Sequence, residues 1–186
     1  MKNSKLLIGV LIVFIGAILL LSNGISKNPS SKQANTYAVP NTNSTSSSSI
    51  GDTAPDFSLT TLDKKTFRLS DNKGKTVILF GMAGWCSTCI PEGRALTKIK
   101  QEYTNKGVEI IGVAFTKGDN DDFLKEYKKV GGIDIPIALD TDNIAQKYNL
   151  TKLETTYIIN KNGNIIYKDE VTTSYEDYKK ELDKII

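Results

Sequence analysis

The chain has 186 residues, with 24 Lys and Arg against 21 Asp and Glu, no histidine, two cysteines and 39% hydrophobic residues. That allows one core-forming domain with appendages. The basic excess comes from Lys2, Lys5, Lys27 and Lys32, which precede residue 50 with no acidic residue among them, so the rest is near neutral and offers no nucleic-acid-binding surface.

Leu6 to Leu21 is an uncharged, mostly aliphatic run. It falls short of the roughly 20 residues of a membrane span, but the uncharged Ser22 to Ile25 extends it. Lys2 and Lys5 ahead of it predict a cytoplasmic N-terminus with the remainder translocated. Residues 1–25 therefore read as a transmembrane anchor or a signal; no Ala-x-Ala-like site or lipid-accepting cysteine follows, which favours an uncleaved anchor. Residues 26–50 are rich in Ser, Thr and Asn and too poor in packing residues to fold, so they form a disordered tether. The folded domain is expected over 51–186.

Phe57 to Leu59 and Thr66 to Leu69, flanking Asp63-Lys64-Lys65, predict an N-terminal hairpin. Thr76 to Phe80 predicts the first buried strand, and Leu96, Ile99 and Tyr103 a following helix to about Asn105, stopped by Gly107 and kinked by Pro91. Val108 to Phe115 is a second buried strand, parallel to the first across that helix. Asp119 with Asp122 reads as the cap of a helix holding Phe123, Tyr127 and Val130 inward, ended by Gly131-Gly132. Ile135 to Ala138 then suggests an edge strand, and Asn143 to Tyr148 a short helix. Thr156 to Ile159 and Asn164 to Tyr167 predict a hairpin across Lys161-Asn162-Gly163. Ser174 caps a last helix burying Tyr175, Tyr178, Leu182 and Ile185. Together these predict an α/β domain, a central sheet with helices on both faces.

The chemistry concentrates in Phe80-Gly81-Met82-Ala83-Gly84-Trp85-Cys86-Ser87-Thr88-Cys89-Ile90-Pro91-Glu92, which holds both cysteines and the only tryptophan. Two thiols three residues apart at a strand-to-helix junction can close a disulfide with little backbone movement. The helix N-terminus lowers the pKa of a thiolate placed there. Spacing and placement thus predict a reversible dithiol/disulfide pair. Cys86 at the exposed tip is expected to be the attacking thiolate, and Cys89 beneath it the resolving thiol. Glu92, nearly on the Cys89 face, is placed to exchange the Cys89 proton, though a solvated first-turn glutamate is the plainer alternative. A closed Cys/His zinc site would need ligands from another chain, and a purely structural disulfide across two residues would constrain little. No metal or cofactor is expected.

Trp-Cys-x-x-Cys-x-x-Glu after a strand resembles the membrane-anchored thioredoxin-like proteins of the TlpA/ResA type, which border the AhpC/TSA redoxin superfamily. The resemblance runs from Ile50 to Ile186 and includes Gly51-Asp52-Thr53-Ala54-Pro55-Asp56-Phe57-Ser58-Leu59 and Thr155-Thr156-Tyr157-Ile158-Ile159-Asn160 with Gly163. It implies a thioredoxin-like fold with a central mixed sheet, and an extracytoplasmic thiol-disulfide oxidoreductase acting on protein disulfides such as those of apocytochrome c. It also implies a CcdA-type membrane electron donor, and a substrate groove beside Trp85, Leu153 and Glu154. Peroxide reduction is a weaker expectation, because Gly81 to Gly84 lack the Thr and Pro that precede a peroxidatic cysteine. A non-catalytic binding module is another.

One position departs from the family. Where such proteins carry a cis-proline against the dithiol, this chain has Glu154 after Leu153. A trans Leu153–Glu154 bond is expected, since a cis bond without proline costs about 2.5–4 kcal/mol. The carboxylate would then either sit beside Cys86, disfavouring its thiolate, or swing into solvent. Glu154→Pro is expected to speed exchange.

Overall fold

The computed structural model describes residues 48–186. The expected anchor, and the tether up to residue 47, lie outside the described residues. Among the described residues no helix is long and apolar enough to cross a membrane. The folded part starts slightly earlier than expected: Ser48 is buried and its hydroxyl donates to the Lys147 carbonyl at 2.7 Å.

Seven strands and four α-helices follow among the described residues. The hairpin is β1 (Ser58–Thr60) with β2 (Thr66–Arg68), paired antiparallel. The main sheet comprises β3 (Thr76–Met82), β4 (Val108–Ala114), β5 (Ile137–Leu139), β6 (Thr155–Ile159) and β7 (Ile165–Asp169), in the order β5-β4-β3-β6-β7. β3 pairs parallel to β4 and antiparallel to β6, so the sheet is mixed as expected. The helices are α1 (Ile90–Tyr103), α2 (Asp121–Gly131), α3 (Ile144–Lys147) and α4 (Tyr175–Leu182).

Strand alternation divides the core. Ile78, Phe80 and Met82 of β3 face one cluster with α1, α2 and α4; Val77 and Leu79 face the other with α3 and the hairpin. Both faces of β3 are therefore covered, which is why every residue from Thr76 to Met82 is buried. Both cysteines belong to the first cluster.

Several local expectations are corrected. Pro91 lies in the first turn of α1, where its missing N–H would have had no intrahelical partner, so it starts the helix instead of kinking it. The expected stop at Gly107 holds: α1 gives way after Tyr103 to a 3-10 turn, which left-handed Gly107 ends. The α2 cap is Asn120, whose side chain accepts from the Asp122 and Phe123 N–H groups, and not Asp119. The inward stripe of α2 is Leu124, Tyr127 and Gly131; Phe123 and Val130 are 46% and 59% exposed. Tyr178 and Leu182 of α4 are buried, whereas Tyr175, and Ile185 just beyond the helix, are only partly so.

Candidate active site

β3 emerges from the sheet at Met82, and the chain turns through Ala83 to Cys89 before α1 begins. Cys89 is the N-cap residue of α1, and Cys86 precedes the helix, its N–H donating to the Ala83 carbonyl at 3.1 Å. The two are joined as a disulfide with Cα atoms 5.4 Å apart. The N–H of Cys89 points at Cys86 Sγ, 3.1 Å away, and the Thr88 hydroxyl lies 3.3 Å from the same sulfur. On reduction these groups favour charge on Cys86.

The expectation of an exposed Cys86 does not hold. Cys86 is 4% exposed and Cys89 0%, so both are buried in this oxidised state. The reason is the turn itself: it tucks Cys86 back against the helix start and leaves Ser87, Thr88 and a 58% exposed Trp85 at the rim. The two sulfurs still differ in the expected order, Cys86 lying nearer the surface.

The rim is braced by a residue assigned to another task in the sequence. Asp119 accepts from the Gly84 N–H at 2.8 Å, and from the N–H and hydroxyl of Thr116. Thr116 in turn receives the Trp85 indole N–H at 3.1 Å. Tyr127 of α2 donates to the Cys89 carbonyl at 2.8 Å. That approach needs Gly93, because a Cβ there would lie 2.5 Å from the Tyr127 hydroxyl oxygen.

Glu92 is fully buried, which removes the alternative of a solvated first-turn glutamate. Its Oε1 accepts from the Thr156 hydroxyl at 2.7 Å and the Tyr178 hydroxyl at 2.5 Å, while Oε2 is buried without a partner. Burial pushes its pKa up from 4.5 to about 7, against the opposing pull of the Tyr178 and Thr156 hydrogen bonds. A carboxyl poised near neutrality suits proton transfer. Tyr178 and Thr156 were not foreseen; their signal was a hydroxyl on each of two inward-facing positions, which in a core requires a partner.

Glu154 stands beside the disulfide and does not swing into solvent. One of its carboxylate oxygens and the two sulfurs lie within 4.8 Å of one another, and Oε1 is buried without a hydrogen bond. The Leu153–Glu154 bond is trans, as expected. Glu154 adopts a left-handed backbone with φ 64°, and its N–H donates to the Gly81 carbonyl at 2.9 Å. Leu153 is partly buried against the cluster that contains both cysteines. Trp85, Leu153 and Glu154 thus all lie around the pair.

Comparison with known proteins agrees with this geometry. The redoxin family profile matches residues 49–186. The chain is 34% identical over 137 residues to the thiol-disulfide oxidoreductase ResA of Geobacillus kaustophilus, covering 73% of this chain and 78% of that one. It is also 34% identical over 136 residues to the thioredoxin-like protein YneN of Bacillus subtilis, covering 72% and 79%. Among solved structures, a thiol:disulfide interchange protein of the thioredoxin family from Chlorobium tepidum superposes with a TM-score of 0.66 over 74% of this chain and 97% of that one. At 24% identity that likeness speaks for the fold, which is thioredoxin-like.

Proposed function

The chain belongs to the redoxin family and is a thiol-disulfide oxidoreductase, and we propose that it works outside the cytoplasm as a reductant of exported proteins such as apocytochrome c. In this reading a membrane donor of the CcdA type recharges it. The basic, apolar N-terminus supports the location, and the resemblance of the Trp-Cys-x-x-Cys-x-x-Glu segment to proteins of the TlpA/ResA type supports a reducing role. One observation carries the chemistry: Cys86 Sγ takes the Cys89 N–H at the head of α1, while Cys89 is sealed below it on the helix that holds Glu92.

The cycle starts from the reduced pair. The Cys86 thiolate attacks one sulfur of a substrate disulfide, forming a mixed disulfide and expelling the other sulfur as a thiolate. The Cys89 thiol then gives its proton to ionised Glu92 and attacks Cys86 Sγ. The second substrate sulfur leaves as a thiolate and takes the proton held by Glu92, while the first takes one from solvent, so the substrate gains two electrons and two protons. A donor dithiol restores the enzyme pair by the reverse sequence.

Because Cys86 is nearly covered, a substrate must engage the rim at Trp85, Ser87 and Thr88 to reach it. Trapping in membranes with Cys89→Ser tests the reading. Accumulated mixed disulfides through Cys86, together with labelling of Cys86 in whole cells by a membrane-impermeant thiol reagent, are the expected result. An empty trap, with Cys86 alkylating like an ordinary free thiol at neutral pH, would overturn it.

A further inference from the structure

We propose that the reduced pair is a zinc site, in which Cys86 Sγ, Cys89 Sγ and a carboxylate oxygen of Glu154 bind one Zn²⁺ and leave a fourth position for water. The inference rests on the dithiol/disulfide cycle, because the sulfurs become ligands only when the bond between them is open.

The first ground is placement. One ligand atom from each of these residues lies within 4.8 Å of the other two. Zn²⁺ takes thiolate sulfur at about 2.3 Å and carboxylate oxygen at about 2.0–2.2 Å, so modest side-chain rotation closes the site after reduction. Three protein ligands with one open position is a recurrent zinc arrangement. Cysteine and histidine alone fall short of a zinc site in this chain; the loop before β6 supplies the third ligand from far along the chain.

The second ground is an unanswered polar atom. Glu154 Oε1 is buried with no hydrogen bond, and a buried carboxylate oxygen in that condition calls for a partner. The adjacent cation is committed elsewhere, since Lys152 pairs with Glu170 at 2.9 Å. Reduction sharpens the problem, because it sets one or two potential thiolates beside the same carboxylate, and like charges repel. A divalent cation reverses that relation and turns all three groups into ligands. Glu154 is kept there by its left-handed backbone and its N–H bond to Gly81.

The binding step involves no electron transfer. The donor dithiol first reduces the disulfide, delivering two electrons and two protons and becoming a disulfide itself. Zn²⁺ then displaces both thiol protons to solvent and binds two thiolates and one carboxylate, for a net charge of −1. Zinc held this way withholds both sulfurs from exchange and from oxidation, so the metal would act as a reversible block on the reduced enzyme.

The test uses the full-length chain, reduced with a phosphine, freed of reductant and titrated with Zn²⁺ against a chromophoric chelator. One Zn²⁺ per reduced chain and none per oxidised chain are expected, with binding weakened at least about tenfold by Glu154→Gln. Co²⁺ in place of zinc should give a thiolate-to-metal charge-transfer band. Thermal melts of the oxidised variant check that it is folded. Substoichiometric binding by the reduced chain overturns the proposal, as does a Glu154→Gln chain that binds as tightly as the parent. Reduction of a small disulfide by the same zinc-free preparation separates the two readings. A chain that exchanges but binds no zinc sinks only the metal site; a pair that does neither sinks the exchange reading too.

Discussion

Replacing Glu92 by Gln tests the buried carboxyl in a window that this chain leaves unusually clear. There is no histidine to titrate near neutrality, so Glu92, with its pKa raised from 4.5 to about 7, dominates the pH dependence of stability there. The native state holds the proton more tightly than the unfolded state, so the stabilisation is full below about pH 4.5 and is lost as pH rises through 7. At about 1.4 kcal/mol per pH unit, the shift corresponds to about 3 kcal/mol in full, of which about 2.5 kcal/mol falls between pH 5 and 8.5. Urea unfolding of the oxidised protein across that range should show the parent weakening by this amount. Glu92→Gln, which cannot ionise, should stay nearly flat, so the difference between the two chains moves in favour of Gln with rising pH. A flat parent, or a variant with the parent's slope, would refute the assignment.

Further outcomes follow from the same contacts. Tyr178→Phe removes the hydroxyl that donates to Glu92 Oε1 and should raise the Glu92 pKa further, so its loss of stability, followed by the same urea series, moves to higher pH. Glu154→Pro was expected to speed exchange, but the structure changes that outcome. Proline cannot adopt φ 64° or supply the N–H bonded to Gly81, so the variant should lose about 3 kcal/mol or more, while Glu154→Gly should be tolerated or stabilising in the same melts. Gly93→Ala should cost about 1–3 kcal/mol, because its Cβ meets the Tyr127 hydroxyl at 2.5 Å and Ile133 Cδ1 at 2.6 Å. In a double-mutant cycle part of that cost should vanish in a Tyr127→Phe background.

What could be read from the residues was what repeats locally. The run from Thr76 leads into the sheet and the cysteine spacing closes its disulfide, because a continuous apolar run and an i, i+3 pair are short-range properties. The hairpin turns at Asp63-Lys64-Lys65 and Lys161-Asn162-Gly163 fall where their composition points. α2 misled because one position of its inward stripe is Gly131, where the close approach of Ile133 leaves no room for a side chain, while the larger Phe123 and Val130 stay outside. Asp119 looked like a cap because Asp favours caps, yet Asn120 beside it takes the helix and frees Asp119 to hold Gly84 and Thr116. The partners of Glu92 lie 64 and 86 residues away, and the approach of Glu154 depends on a left-handed backbone at a residue type that seldom adopts one. Neither has a local pattern to announce it.

The hydroxyl from α4 that reaches Glu92 has a bearing on biosynthesis. Both sulfurs and their acid are made well before Tyr178, so a growing or truncated chain ending short of α4 would carry the whole Trp-Cys-x-x-Cys-x-x-Glu motif with its carboxyl uncapped and open to water. Such a chain could still form the disulfide, but Glu92 would lack the burial that raises its pKa. Burial of the Glu92 carboxyl thus waits on α4, which is made after both cysteines, and a reporter fused in place of α4 would register the thiols without the buried carboxyl.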